Sequence, residues 1–154
     1  MIIEFDVQDL NEIMKIWLDA NVSAHSFVDK VYWQQAYGFV KSTLPSSDLF
    51  IWKEQNVIKG FIGITGDNYI AGLFVDEKYQ SQGIGRELLN FCKQRYPRLE
   101  LDVFVKNIGA VRFYTRNGFV IMDTKMNKEF NHEEYHMAWS SCVPIEIELI
   151  KAKQ

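Results

Sequence analysis

Three apolar runs lie almost end to end between Leu49 and Val75: Leu49 to Lys53, Val57 to Thr65 and Tyr69 to Val75, parted only by Glu54-Gln55-Asn56 and Gly66-Asp67-Asn68. Gaps of a few turn-forming residues join strands as hairpins, whereas a parallel pair needs a crossover of about a dozen residues or more. The spacing predicts an antiparallel meander, and the rest of the chain has to be arranged around it.

On both sides of the meander helical and strand-like periods follow one another. Ile2 to Phe5 reads as a short strand, and Asp9 is placed to cap a helix whose apolar positions Ile13, Met14, Ile16, Trp17 and Leu18 form a broad stripe. The loop Ser23-Ala24-His25-Ser26-Phe27 comes next, and Asp29 opens a second helix, Tyr32 to about Leu44, stopped by Pro45. Beyond the meander, Gln80 to Gly85 is a glycine-bearing loop and Arg86 to Arg95 is helical, with Ile84, Leu88, Leu89 and Cys92 on one side and Pro97 ending it. Arg98 to Val105 alternates as a strand, with Leu99, Leu101, Val103 and Val105 on one face and Glu100, Asp102 and Phe104 on the other. A short helix from Ile108 to Arg116 stops at Asn117-Gly118, strand Phe119 to Lys125 follows, and Tyr135 to Trp139 closes the sheet. The order βααβββαβαββ is that of an α/β layered domain, not of a bundle or a sandwich.

Composition narrows the function. The 154 residues fit one domain of ordinary size. The formal net charge of −3 and a pI near 5.6 argue against a nucleic-acid binder or a polybasic membrane surface. Cys92 and Cys142 lie far apart with no CxxC spacing, and His25, His132 and His136 are not grouped with them, so neither a disulfide framework nor a metal site is expected. The first residues, Met1-Ile2-Ile3-Glu4-Phe5-Asp6, lack the basic and apolar stretches of a signal peptide, and no apolar run approaches the roughly 20 residues that span a bilayer. A soluble cytoplasmic protein is the expectation.

The sharpest local signal runs from Phe74-Val75-Asp76 through Gln80-Ser81-Gln82-Gly83-Ile84-Gly85 into Arg86: an apolar strand, a tight loop and a helix start. A helix start carries N–H groups with no partner inside the helix and the positive end of its dipole, so glycines that let the backbone curl there can cradle an anion such as a pyrophosphate. Two glycines in such a place also serve packing or capping. A Walker loop is excluded because no Gly-Lys-Ser/Thr follows. A dinucleotide fingerprint is excluded because Leu88 stands where a third small residue is required.

Gln80-Ser81-Gln82-Gly83-Ile84-Gly85 resembles the Q/R-x-x-G-x-G/A motif of the GNAT N-acetyltransferases. Some thirty residues on, Asn107-Ile108-Gly109-Ala110-Val111-Arg112-Phe113-Tyr114-Thr115-Arg116-Asn117-Gly118-Phe119 resembles the family's second signature, N-x-x-A-x-x-x-Y-x-x-x-G-F. The similarity runs from Ile2 to Trp139. Trp17-Leu18 through His25-Ser26-Phe27 and Tyr32-Trp33 is similar to short single-domain bacterial members, some of which acetylate protein lysines. The resemblance implies a mixed, mostly antiparallel sheet of about seven strands flanked by helices and splayed between the fourth and fifth strands. It also implies one domain over residues 1–139 that uses acetyl-CoA as co-substrate.

Carried onto this sequence, the resemblance gives each residue a role. The backbone of Leu73, Phe74 and Val75 would pair with the pantetheine arm, and the N–H near Val75 would face the thioester carbonyl. Gln80, Ser81, Gln82, Gly83, Ile84, Gly85 and Arg86 would cradle the pyrophosphate. Asn107 would hold the pantetheine or cap its helix, or both. Tyr114 would be the general acid that protonates the departing thiolate, although an aromatic on a short amphipathic helix is by itself a core residue. Asp102, five residues before Asn107, occupies the place of a catalytic glutamate in some relatives. It is a candidate base, directly or through water, and Glu100 shares its face. His25 is a second candidate base. Trp17, Phe27 and Trp33, with Tyr37 and His25, would line the acceptor side or pack in the core. Glu129, Glu133 and Glu134 would attract a basic acceptor or be solvated loop charge.

The acceptor is an amine, either a protein lysine or N-terminus or a small molecule, attacking directly in a ternary complex. A non-catalytic acyl-CoA-binding module is the alternative. Residues 140–154 read as a strand-like extension, Ile145, Ile147 and Leu149 alternating with glutamates, docked on the sheet edge or on a second copy of the chain in a homodimer.

Overall fold

A computed structural model of the chain describes residues 1–66 and 68–141. The chain divides into two compact units, Met1–Cys92 and Lys93 onward.

In the first unit the order is β1 (Ile2–Glu4), α1 (Leu10–Ala24), α2 (Lys30–Thr43), β2 (Asp48–Glu54), β3 (Val57–Thr65), β4 (Tyr69–Val75) and α3 (Ile84–Lys93). The meander forms as its spacing predicts: β2 pairs antiparallel with β1 and β3, and β3 with β4. The β2–β3 turn puts Gln55 and Asn56 at φ 51° and 64°, the two left-handed residues that a two-residue hairpin needs to match the twist of its strands. β3 is buried almost along its whole length because both of its faces are covered. Phe61 lies on the side of Trp17 in α1, and Gly60 lies against Ile84 in α3.

Packing, not propensity, holds α1. Ile13 and Met14 are wholly buried, and each such side chain contributes about 1.5–3 kcal/mol, against a few tenths of a kcal/mol for most differences in intrinsic helix propensity. α3 buries Ile84, Leu88, Leu89 and Cys92, the stripe read from the sequence, although the helix begins two residues earlier than expected. Asp29 caps α2 as expected, its carboxylate accepting the Val31 N–H at 3.0 Å.

Asp9 corrects its own expectation. It stands at the start of α1 but makes no capping bond, because a one-turn 3-10 helix (Val7–Asp9) precedes the helix and leaves Asp9 in a helical conformation. Its buried carboxylate pairs instead with Lys53 at 3.2 Å, and Asp6 caps the short turn by accepting the Gln8 N–H.

The second unit contains β5 (Arg98–Phe104), α4 (Ile108–Arg116), β6 (Val120–Asn127) and β7 (His132–Ser140). β7 lies between β5 and β6 and is antiparallel to both. Leu99, Leu101 and Val103 are buried, and Glu100 and Asp102 alternate with them on the opposite face. Ser140 closes β7 and Ser141 donates to the Pro97 carbonyl, whereas residues 142–154 of the expected extension lie outside the described residues. No helix among the described residues is long and apolar enough to cross a membrane.

Candidate active site

The glycine-bearing loop is built from both ends. At its start, Asp76 caps a 3-10 turn (Glu77–Tyr79) by accepting the Lys78 N–H, and the Asp76 N–H itself donates to the Lys59 carbonyl of β3 at 2.9 Å. The Lys59 ammonium lies 4.5 Å from the Tyr79 ring centre, which pins that turn to β3. Gln80 donates its side-chain amide to the Val75 carbonyl at 3.1 Å, folding the loop back on the end of β4. Ser81 and Gly83 then take φ of 64° and 84°. A left-handed conformation costs a residue with a side chain roughly 1–2 kcal/mol, so Gly83 meets a backbone need. The space around the Gly83 α-carbon is open, so an approaching group meets backbone there. Glu87 is the first N–H of the helical ladder, bonding the Gly83 carbonyl at 3.0 Å, and the N–H groups of Ile84, Gly85 and Arg86 precede it at the positive end of α3. This arrangement fits a diphosphate.

Gly60 is the residue that the sequence reading missed. A β-carbon there would stand 2.8 Å from the Phe74 carbonyl oxygen, 3.2 Å from the Ile84 side chain and 3.4 Å from the Val75 α-carbon. Its absence lets β3 run close under β4 and the first residue of α3. A glycine inside an otherwise apolar strand was the available signal.

In the second unit, Asn107 to Phe119 is one fully capped helix. Asn107 accepts the Ala110 N–H at 3.3 Å as N-cap. At the other end Gly118 has φ 88°, its N–H bonds the Thr115 carbonyl at 3.2 Å, and the Phe119 N–H bonds the Tyr114 carbonyl at 3.0 Å. That is a Schellman closure, with its usual apolar contact between the rings of Phe119 and Tyr114, 5.4 Å apart. The spacing of Asn, Ala, Tyr, Gly and Phe is therefore a device that fixes the position of Tyr114. Tyr114 is only 8% exposed, and burial drives its phenol far above the ordinary range, so it carries its proton throughout neutral pH.

Asp102 and Glu100 lie on one face of β5, as the alternation predicts, and the register of β7 sets His136 between them. Its Nδ1 is 2.9 Å from Asp102 and its Nε2 is 2.9 Å from Glu100. Lys125 reaches Asp102 at 3.0 Å, and Arg98 is 3.5 Å from Glu100. Burial acts to lower the His136 pKa, but the hydrogen bonds and charges of the two carboxylates outweigh it and raise it. The same bond to His136 holds Glu100 below its ordinary value, against a smaller opposing effect of burial.

The expected acceptor-side aromatics do meet. Trp17 and Trp33 are edge-on at 6.0 Å, His25 stacks on Trp33 at 5.3 Å, and Phe27 meets His25 at 5.7 Å. Both tryptophans are nearly buried, so they form a floor more than a wall. Burial lowers the His25 pKa, opposed by a hydrogen bond with the Asn21 backbone, and leaves the ring neutral at pH 7. Beside this cluster, Trp17, Phe61, Phe74 and Gly72 line a cavity of about 330 Å³. Glu129 and Glu134 belong to the β6–β7 hairpin: the Glu129 N–H caps on Asn127, and Glu134 accepts from the Asn127 amide. Among the described residues no group of three or more His, Cys, Asp or Glu side chains could hold a metal ion.

Comparison with known proteins gives four findings. A family model described as an acetyltransferase (GNAT) domain matches residues 18–140. The chain is 31% identical over 140 residues to the peptidyl-lysine N-acetyltransferase YiaC of Escherichia coli, covering 90% of this chain and 96% of that protein. Among solved structures it is similar to apo YjaB from Escherichia coli (TM-score 0.79, 24% identity, 90% and 96% of the two chains). It is also similar to the PaiA N-acetyltransferase of Thermoplasma acidophilum in complex with coenzyme A (TM-score 0.78, 17% identity, 92% and 98%).

Proposed function

The chain belongs to the GNAT acetyltransferase family and is an acetyl-CoA-dependent N-acetyltransferase, and we propose that its acceptor is the side-chain amine of lysine in a polypeptide. The observation that carries this choice is the likeness to a peptidyl-lysine N-acetyltransferase over nearly the full length of both chains. We take residues 1–139 as the catalytic domain.

Acetyl-CoA supplies an acetyl thioester whose carbonyl carbon is open to attack. In this reading the N–H groups of Gln82 to Arg86 bind the pyrophosphate, with Gln80 and Ser81 shaping the loop. The backbone of Leu73, Phe74 and Val75 binds the pantetheine arm, with the N–H near Val75 set against the thioester oxygen. Asn107 fixes the start of the helix that carries Tyr114 and borders the arm. Trp17, His25, Phe27 and Trp33 shape the acceptor side.

A lysine ammonium with a pKa near 10.4 is neutral in roughly one molecule in 10³ at pH 7, so the enzyme must take a proton from it. Asp102 receives that proton, with His25 as a neutral second base. The freed lone pair forms the C–N bond, the C–S bond breaks, and Tyr114 protonates the leaving sulfur. The nitrogen's second proton replaces the one lost by Tyr114, and the proton on Asp102 returns to solvent. Because the surroundings of Tyr114 disfavour any buried anion, a thiolate formed beside it is raised in pKa as well, which brings donor and acceptor of the proton closer in strength.

The test is thiol release from acetyl-CoA with lysine peptides blocked at their N-termini, alongside spermidine, free amino acids and aminoglycosides, followed by mass mapping of the acetylated nitrogen. We expect acetyl-lysine, with kcat/KM for the best peptide at least tenfold above that for any small amine. A small amine preferred by the same margin would overturn the acceptor assignment, and acetyl-CoA binding with no turnover on any amine would favour the non-catalytic reading.

A further inference from the structure

The cluster around His136 contains more than a base needs. The imidazole bridges Glu100 and Asp102, one ring nitrogen at 2.9 Å from each carboxylate. A neutral imidazole has a single N–H, and its second nitrogen would then set a lone pair against an anion. Two N–H donors satisfy both contacts, so the geometry by itself calls for an imidazolium between two carboxylates. His136 and Asp102 are register partners across β5 and β7, which makes the bridge part of the sheet.

The remaining charges around the ring sort by rigidity. Lys125 of β6 also reaches Asp102, but its side chain is 47% exposed, and solvent screening leaves exposed ion pairs of this kind weak. Arg98 lies 3.5 Å from Glu100. Asp123 lies opposite His136 on β6 with its carboxylate accepting the Thr124 N–H, and Glu134 on β7 accepts from Asn127. His136 contacts both β5 carboxylates, and its ring is held between them by strand register.

We infer that His136 is a positioning residue for acetyl transfer: as a cation bridging Glu100 and Asp102, it keeps the Asp102 carboxylate ionised and aimed to receive the acceptor's proton. The inference rests on the reading of Asp102 as base. The proton passes from the acceptor nitrogen to a carboxylate oxygen, its N–H bonding pair stays behind as the attacking lone pair, and His136 retains both of its protons throughout. Without the imidazolium, two like charges share one face of β5. That repulsion favours protonation of one of the two carboxylates, and Asp102 loses its partner on β7.

The experiment compares wild type with His136→Gln, which keeps a donor without the charge, and with Asp102→Asn. For H136Q we expect kcat about tenfold lower at pH 7, KM for acetyl-CoA within about twofold, and the acid limb of the kcat/KM profile displaced upward by about one pH unit. Nitrogen-15 NMR of the wild-type protein should show both His136 ring nitrogens protonated at pH 7, a readout that needs no variant to fold. An H136Q enzyme with wild-type kcat and pH profile beside an inactive D102N would overturn the positioning role alone. A fully active D102N would overturn the base assignment, and the positioning role with it, even where NMR finds the imidazolium. A single protonated ring nitrogen at pH 7 would remove the bridge itself.

Discussion

Replacing Tyr114 by Phe is expected to lower kcat by about 10²-fold or more, the range in which a positioned general acid contributes. The substitution is clean because what holds Tyr114 in place does not use its hydroxyl. The Schellman closure runs through its backbone carbonyl, and the contacts to Phe113 and Phe119 are made by the ring, so Phe keeps both. The melting temperature should therefore move little, in line with the roughly 0.5–1.5 kcal/mol that a hydroxyl's hydrogen bond contributes. KM for acetyl-CoA should also hold, since in the proposed role the phenol acts on the leaving sulfur and not on the pyrophosphate. An acetyl thioester of a more acidic thiol, whose departing anion needs less help, should recover much of the lost rate. Unchanged kcat would remove Tyr114 from the mechanism, and an equal loss with every thioester would point to a structural role.

Gly60→Ala is the second large effect, and it is expected at the glycine-bearing loop although residue 60 lies outside it. Alanine would gain about 0.4–1 kcal/mol through reduced freedom of the unfolded chain. Against that, its β-carbon at 2.8 Å from the Phe74 carbonyl oxygen meets backbone, which cannot rotate away as a side-chain tip could. Overpacking of this kind costs typically 1–3 kcal/mol, so the clash wins. Relief requires β3 and the end of β4 to part, or Ile84 to be pushed outward, and either shift moves the first turn of α3. We expect a melting temperature lower by several degrees and KM for acetyl-CoA raised about tenfold, equivalent to about 1.4 kcal/mol, with KM for the acceptor little changed. Retained stability together with unaltered acetyl-CoA binding would show that β3 carries no strain to the loop.

Tyr114 and Gly60 differ in how far local sequence positions them. Tyr114 is legible because everything that positions it lies within thirteen consecutive residues: an N-cap, a small residue at the first turn, the tyrosine, and a glycine–phenylalanine stop. The meander is legible for the same reason, its turns being short and made of residues that accept left-handed conformations. Asp9 shows the limit of such reasoning. Its residue type and place both suit a cap, yet a preceding 3-10 turn and a lysine 44 positions away claim its carboxylate.

By itself the sequence determined the order of the elements, the glycine-bearing helix start, the capped helix of Tyr114 and the polar face that holds Glu100 and Asp102. All of these follow from interactions between residues close in the chain, where period, cap and turn chemistry act directly. The partners of Asp102 and the room under β4 were decided only in three dimensions. His136 meets Asp102 across 34 residues because β7 pairs with β5 in one register, and a slip of a single position would turn the histidine to the opposite face. Gly60 matters because β4 and α3 return to lie against it. Strand register and backbone approach depend on the packing of the whole unit, and no stretch of neighbouring residues encodes either one.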